Sequence, residues 1–297
     1  MQNRFILAII SAAIAAAAVI SHAEAPGRAV YVGSYTWTLN TPGFGGYSGL
    51  EITADGREFI TVSDGGYLVT GVLERDRSST EITSVQDFSQ VELLDTKGKQ
   101  LLGVWDDGEG LAVAKSGAIF ISFEGEHRVW RYDEAGGNAA RIGQHPDFKE
   151  MQNNSSLEVL AIDANGDLFT LPERSGVVTR PFPVYRFKDG KWDQPFSIPR
   201  ISPYLPVGGD FGPDGKFYLL ERHLNGIFGF QTRVRRFDIS DPTSGEILLE
   251  SSTGRHDNLE GIAVWRDNTG DIRLTMISDD NYRAFQRTEF VEYRITE

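Results

Sequence analysis

The sequence contains no cysteine, which excludes disulfides, thiolate metal sites, cysteine nucleophiles and lipid attachment through an N-terminal cysteine. Histidine is nearly as scarce. Beyond the first two dozen residues only His127, His145, His223 and His256 remain, each in a different part of the chain, so a zinc site built on imidazole is not expected. Positive charge is in deficit, with 29 Lys and Arg against 42 Asp and Glu and a net charge of −13. Without any basic tract, nucleic acid and anionic membrane surfaces are poor partners. There is no G-x-S-x-G elbow, no G-x-x-x-x-G-K-[ST] loop and no H-E-x-x-H. Gly43-Phe44-Gly45 does not extend to G-x-G-x-x-G, because the sixth position is Ser48.

Long apolar runs are confined to the start. Arg4 precedes a stretch from Phe5 to Ile20 made almost wholly of Ala, Ile, Leu, Val and Phe, and Ser21-His22-Ala23 follows. A charged end, an apolar stretch and an A-x-A-like site predict a secretory signal over residues 1–23. As a helix the apolar stretch would reach only ~24 Å, short of a ~30 Å bilayer core, so an uncleaved anchor is the weaker reading. Cleavage after Ala25 would leave Pro26 at the new terminus, which favours cleavage after Ala23. Loss of Arg4 with the signal takes the net charge near −14, and residues 24–297 remain as one large all-β domain. The expected location is the periplasm or the exterior.

Five segments share one plan: an acid, a short apolar strand, a turn rich in Asp, Asn or Gly, and a second apolar strand ending in an acid. They begin near Gly49, Glu109, Leu157, Gly209 and Leu259. Asp55-Gly56, Ser116-Gly117, Asn165-Gly166 and Asp214-Gly215 are the turn dipeptides, since Gly and Asn tolerate the positive φ of tight hairpins. The leading acids Glu51, Glu109, Glu158, Asp210 and Glu260 lie 58, 49, 52 and 50 residues apart. A unit of about fifty residues built from short strands is a propeller blade. Arg128–Tyr132 and Val184–Phe187 alternate as outer strands do. The fifth unit ends after the strand Thr288–Ile295, and Arg28–Val32 is a spare strand that could complete it and remove the open edges. The expected fold is a single β-propeller of five four-stranded blades. Six is the alternative if residues 66–105 form a blade. Thr41–Gly49 reads as a mobile lead-in loop, and no helix longer than two turns is evident. Trp105, Trp130, Trp192 and Trp265 read as packing between blades.

In a propeller the first strand of each blade lines the channel and pairs antiparallel with the second, so the start of one and the end of the other share a face. The leading acids should therefore ring one mouth, with the trailing acids Asp64, Glu124, Glu173, Glu221 and Asp279 in a wider ring beside them. Two carboxylates about 7 Å apart repel by about 2 kcal/mol at an effective dielectric near 20, so a cation, arginine partners or protonation must offset the crowding. Arg174 and Arg222 follow trailing acids, and Arg255 and Arg283 flank the fifth blade. A divalent cation held by Glu51, Glu109, Glu158, Asp210 and Glu260 is the favoured reading, against a salt-bridged ring that only closes the fold. Hard oxygen ligands suit Ca²⁺ first, then Mg²⁺ or Mn²⁺. Asn258 and Asn281 are neutral oxygen donors nearby, or ordinary turn residues.

The stretches Glu109–Val113, Ser122–Tyr132, Leu219–Arg222, Asp257–Val264 and Ile277–Tyr282, with Gln286-Arg287-Thr288 behind, resemble the bacterial "esterase-like activity of phytase" family over roughly residues 50–294. Clustered Glu and Asp are that family's hallmark, and the resemblance implies phosphoric-ester hydrolysis. Within this chain Asp64 is followed by Gly65, whereas Glu173 and Glu221 are followed by arginine, so the first blade is expected to serve metal rather than anion binding. The leading expectation is a cation-dependent hydrolase of phosphoric or related esters, with Arg174, Arg222 and Arg255 holding a small anionic substrate and Asp279 or Glu221 as general base. A lactonase-type calcium propeller and a non-catalytic propeller that binds a ligand or partner are the alternatives, because fold alone decides nothing here. A monomer is expected. Amino-terminal sequencing of the exported protein should begin at Glu24; Met1 retained on membrane-bound protein is the opposing outcome.

Overall fold

A computed structural model describes residues 28–78, 80–152 and 157–296; the expected signal at 1–23 lies outside the described residues. Each repeat folds into four antiparallel strands, giving five sheets. Blade 1 consists of Tyr47–Ile52, Glu58–Ser63, Tyr67–Arg75 and Ile82–Glu92, and blade 2 of Gly108–Val113, Ile119–Phe123, Arg128–Tyr132 and Ala140–Arg141. Blade 3 consists of Val159–Ile162, Leu168–Leu171, Phe182–Lys188 and Lys191–Ile198, and blade 4 of Leu205–Phe211, Phe217–Leu224, Phe230–Asp238 and Asp241–Glu250. The turn glycines take the left-handed conformation expected of them, as at Gly56 (φ 74°) and Gly166 (φ 89°). Residues 66–105 supply the two outer strands of blade 1 and the connection to blade 2, which removes the six-blade alternative. Among the described residues, helix is limited to three short 3-10 segments, and none is long and apolar enough to cross a membrane.

Blade 5 takes Asn258–Arg266, Ile272–Asp279 and Glu289–Ile295 from the end of the chain and Ala29–Thr36 from its beginning. That fourth strand runs antiparallel to Glu289–Ile295 from the Ala29–Ile295 pair to the Thr36–Glu289 pair, with a bulge between Tyr31 and Gly33. The ring thus closes without a free edge between its two ends, as the spare N-terminal strand predicts.

Five apolar clusters each sit at one blade interface. Val62 and Trp130 join blades 1 and 2, and Leu160, Phe148 and Tyr185 join 2 and 3. Phe169 and Phe217 join 3 and 4, Tyr218 and Met276 join 4 and 5, and Tyr47, Phe59 and Phe290 join 5 and 1. Each such side chain contributes roughly 1.5–3 kcal/mol of burial. The last interface carries Trp37, immediately after the closing strand, with its ring stacked on Tyr47 at 5.4 Å and edge-on to Phe44 at 4.9 Å. Thr41–Gly49 is therefore anchored through Phe44 and is not the loose lead-in expected of a glycine-rich stretch. A buried charge cluster spans the same interface. Arg75 of blade 1 donates to both oxygens of Glu292 at 2.7 and 2.8 Å, and Arg273 donates to Oε2 at 2.7 Å. Trp130 and Trp265 are buried, whereas Trp105 is exposed and has Arg128 stacked on it at 5.2 Å.

Deleting residues 28–37 would open the ladder of blade 5 and uncover the Trp37 cluster together. In a domain of this size about 1 kcal/mol shifts the melting temperature by about 2–4 °C, so the deletion should lower it by several such steps. Equal melting temperatures for the deleted and full domains would refute closure as a source of stability.

Candidate functional site

Five inner strands meet around the axis in blade order, and their register fixes which residues reach each mouth. Leu50 pairs with Thr61, Leu111 with Ile121, Leu160 with Thr170, Gly209 with Leu219 and Ile262 with Met276. Counting back two residues, the leading position is held by Ser48, Glu109, Glu158, Val207 and Glu260. Counting forward three on the second strand, the trailing position is held by Asp64, Glu124, Glu173, Arg222 and Asp279.

Three of the five expected ring acids, Glu109, Glu158 and Glu260, are thus equivalent and gather at one mouth. Glu51 and Asp210 do not join them. They stand three residues further along their strands, at positions where the other blades carry Ala112, Ala161 and Ala263, and they line a cavity at the opposite mouth. Blade 4 is shifted by one residue at the trailing position as well. Glu221 points into the sheet, wholly buried, and accepts from Arg235 at 2.7 and 2.8 Å and from Arg233 at 2.8 Å. A carboxylate so held is a structural counter-ion and not a general base. Arg222 takes the ring place instead. Arg255 is exposed, with its guanidinium 4.5 Å from the Tyr31 ring centroid, and no mouth carboxylate is among its described contacts. Arg174 stands at the rim, half exposed, with Nε 3.3 Å from Glu173.

Arg222 organises one side of the mouth. Its Nη1 donates to Asn258 Oδ1 at 2.7 Å, and its Nη2 lies 3.1 Å from Glu260 and 3.4 Å from Glu173. Burial alone would lower its pKa, but Glu260, Glu173, Glu158 and Asp279 outweigh that and raise it. Asn258 passes the organisation on, donating through Nδ2 to Glu260 at 2.8 Å and to Asp279 at 3.3 Å. Ser48 closes the seam between blades 5 and 1 by donating to Glu260 Oε2 at 3.4 Å. Asn281 serves through its backbone N–H, which donates to Asp279 Oδ1 at 2.6 Å.

The blade 2 side is different. Asp107, Glu109 and Glu124 bring one carboxylate oxygen each within 4.8 Å of one another. Strand pairing forces the meeting, because the Glu124 N–H donates to the Asp107 carbonyl at 3.0 Å where the two inner strands splay apart. Burial, then Asp107, Glu260, Glu124 and Asp64, all push the Glu109 carboxyl well above the usual range. Burial and the neighbouring Asp106 raise Asp107 too. Glu158 is raised well above its ordinary value by burial and by Glu109, Glu124, Glu173 and Glu260. Asp64, desolvated and facing Asp107 and Glu260, is pushed up to about 7, and its Oδ1 is buried without a hydrogen-bond partner. Asp279 is raised to about 8 by burial and by Glu260. Hard oxygens converging from several strands, each resisting ionisation, fit a divalent cation of the Ca²⁺, Mg²⁺ or Mn²⁺ kind. Asp107, Glu124 and Asp64 lie outside the expected ligand set, and Asp64 and Glu124 belong to the expected wider ring. The run Asp106-Asp107-Gly108-Glu109 is the signal that could have found the first, since i and i+2 on a strand share a face.

Below the mouth the channel is plugged. Leu50, Leu111, Leu160 and Ile262, all at one repeat position and all at least 97% buried, surround with Gly209 a residual void of only about 10 Å³. The carboxylate mouth and the cavity beyond are separate compartments.

A family model described as Phytase-like, esterase-like activity of phytase, matches residues 42–282. No curated protein matches the chain. Similar solved structures include the gluconolactonase XC5397 from Xanthomonas campestris, at 16% identity over 83% of this chain and 72% of that one, with a TM-score of 0.47. Others are a protein of unknown function from Dyadobacter fermentans (11%, covering 92% and 100%, TM-score 0.49) and PQQ-bound aldose sugar dehydrogenase from Streptomyces coelicolor (13%, covering 88% and 98%, TM-score 0.46).

The acids of the mouth have folded-state pKa values above their unfolded values near 4. Their ionisation therefore costs stability in full above about pH 8, and the cost is relieved as pH falls through about 8 and 7. In EDTA the melting temperature should rise from pH 8.5 to pH 6. Millimolar Ca²⁺ should raise it most at pH 8.5, where the ligands are already ionised, and Glu109→Gln should lose most of that Ca²⁺ response. Identical melting in Ca²⁺ and in NaCl of matched ionic strength would exclude a cation site.

Proposed function

Since the chain belongs to the esterase-like activity of phytase family, we propose that it is an exported, cation-dependent hydrolase of phosphoric or related esters acting at the carboxylate mouth. The observation that carries this reading is the convergence of Asp107, Glu109 and Glu124 beside an arginine-bearing rim. Asp107, Glu109 and Glu124 would hold the ion, with Glu158 and Asp64 within its electrostatic reach. A divalent ion there supplies positive charge to the oxygens of an anionic ester.

The remaining work falls to the chain's own groups. Arg174 at the rim and Arg222 deeper in offer guanidinium forks to phosphate oxygens. Arg222 is already shared among Glu173, Glu260 and Asn258, so it positions the site first and meets the substrate second. Asp279, with a carboxyl raised to about 8 by burial and by Glu260, accepts the proton of the attacking water near neutral pH. As the water oxygen bonds to phosphorus, the bond to the ester oxygen breaks, and that oxygen takes up a proton from solvent water to leave as the alcohol. An apolar funnel around the ion would favour the lactonase alternative. The apolar cavity of this propeller lies beyond the leucine plug, so no observation favours that reading.

Asp279→Asn should keep the bond from the Asn281 N–H, lose the one from Asn258 Nδ2 and remove the proton acceptor, lowering kcat on a phosphodiester or phosphomonoester panel by about 10²–10⁴-fold with KM little changed and the variant still folded by its melting curve. Full activity in this variant would remove Asp279 from the reaction. Absence of phosphoric-ester turnover by the wild type, with Ca²⁺ present, would overturn the proposed activity.

A further inference from the structure

The mouth opposite the carboxylates is an apolar funnel with a volume of about 1170 Å³. Its walls include Ile52, Ile60, Val113, Ile162, Phe211 and Val264, all from inner strands or their partners. Its inner end is the plug formed by Leu50, Leu111, Leu160 and Ile262. Four carboxyls interrupt this apolar lining: Asp163 is engaged by the N–H groups of its own hairpin turn, Glu58 is exposed, and the inner strands contribute Glu51 from blade 1 and Asp210 from blade 4. Glu51 and Asp210 sit at one repeat position, which in blades 2, 3 and 5 is alanine.

Structural bracing accounts for part of each acid. Asp210 Oδ2 accepts from Val264 N–H of the next blade at 2.6 Å, and Oδ1 accepts from Phe211 N–H at 2.6 Å. Glu51 Oε1 likewise accepts from Val113 N–H of the next blade at 3.2 Å. Bracing does not require them, however, because the junctions after Ala112, Ala161 and Ala263 close without a carboxylate. Glu51 is half-buried, and its Oε2 accepts no hydrogen bond among the described residues. That open oxygen, with Asp210 adding negative charge beside it, has no salt-bridge partner among the described residues. Lys115, the lysine of the lining, is exposed and donates through Nζ to the Ala164 carbonyl at 2.9 Å. Burial, with Asp210 adding to it, holds Glu51 well above its ordinary range, and burial, against the Val264 and Phe211 N–H donors, raises Asp210 to about 7.

From this geometry we infer that the funnel is a second binding site, for a small organic ammonium ion with an apolar body, its charge on Glu51 and Asp210 and its body against the aliphatic walls. The chemistry selects against the other classes. An anion meets four carboxyls against the single ammonium of Lys115, and a neutral apolar molecule leaves that excess of negative charge unanswered. A hard divalent ion needs six or more oxygens, whereas Ile52, Ile60, Val113, Ile162, Phe211 and Val264 make up much of these walls. The cavity is large enough for a molecule of drug-like size. The inference is independent of hydrolysis at the other mouth, since the plug separates the two.

The test is calorimetric titration of the purified protein with phenethylammonium chloride, phenethyl alcohol and phenylacetate. Saturating Ca²⁺ is present throughout so that the carboxylate mouth is not available to the amine. Phenethylammonium is expected to bind at least about tenfold tighter than the alcohol, the worth of one charge-assisted contact, and phenylacetate is expected not to bind. Glu51→Gln should erase the preference for the cation. If Glu51→Gln does not fold, Ile52→Lys places a tethered ammonium in the funnel and should block the amine. Equal affinity for amine and alcohol, or a preference that survives both Glu51→Gln and Ile52→Lys, overturns the inference.

Discussion

Around the propeller axis five inner strands approach so closely that a side chain scarcely fits between them. A methyl group added to Gly49 would come within 2.4 Å of the Leu111 backbone nitrogen, to Gly110 within 2.7 Å of that of Leu160, and to Gly261 within 2.1 Å of the Ser48 carbonyl. Such distances are far inside van der Waals contact, so glycine is the residue these crossings admit. The crossing fixes the register of each inner strand against its neighbour. The residue before the crossing is delivered to the carboxylate mouth, and the residue after it goes to the plug. Function at both mouths is downstream of this backbone packing.

The consequence is electrostatic. With the crossing fixed, Glu109, Glu158 and Glu260 have no freedom to spread, and the trailing acids Asp64, Glu124, Glu173 and Asp279 are pinned by the second strands. Stability here does not favour a ring of like charges, and it persists because the apolar clusters at five interfaces and the buried Glu292 and Glu221 ion networks over-determine the fold. Replacing a buried ion network by apolar residues is often neutral for stability, so the networks are better understood as fixing blade-to-blade orientation than as sources of net energy. The mouth is where that orientation becomes chemistry.

Much of this was legible in the residues. Blade number, the closing strand, the hairpin turns and the outer strands follow from the fifty-residue period, the turn dipeptides and the alternation of apolar and polar positions. Carboxylate crowding at a mouth also follows from it. The error lay in choosing the nearest acid rather than the repeat position. Measured back from the turn glycines, Glu109 and Glu158 stand eight residues before Gly117 and Gly166, but Glu51 and Asp210 only five before Gly56 and Gly215. Gly49 and Gly208 carry the same message, since they align with Gly110 and Gly261 and are preceded by Ser48 and Val207. Glu221 was unreadable in a different way: Arg233 and Arg235 lie on the neighbouring strand, and only the pairing of Glu221 with Arg233 shows that its charge is spent.

The one-residue displacement in blade 4 gives the site its asymmetry. Because Glu221 turns inward to Arg233 and Arg235, Arg222 moves up into the place where three other blades present an acid, Glu124, Glu173 and Asp279, and where blade 1 presents Asp64. A cation supplied by the chain thus occupies the side of the ring between blades 3 and 5, fixed there by Asn258 and Glu260 at 2.7 and 3.1 Å. The blade 2 side keeps Asp107, Glu109 and Glu124 together with no such insertion, and there burial and the neighbouring acids hold the Glu109 carboxyl well above its ordinary range. On the proposed reading one positive charge is built in covalently and the other is recruited. An ester bound between them would meet positive charge from both sides, with Asp279, the proposed proton acceptor, held on the Arg222 side through Asn258.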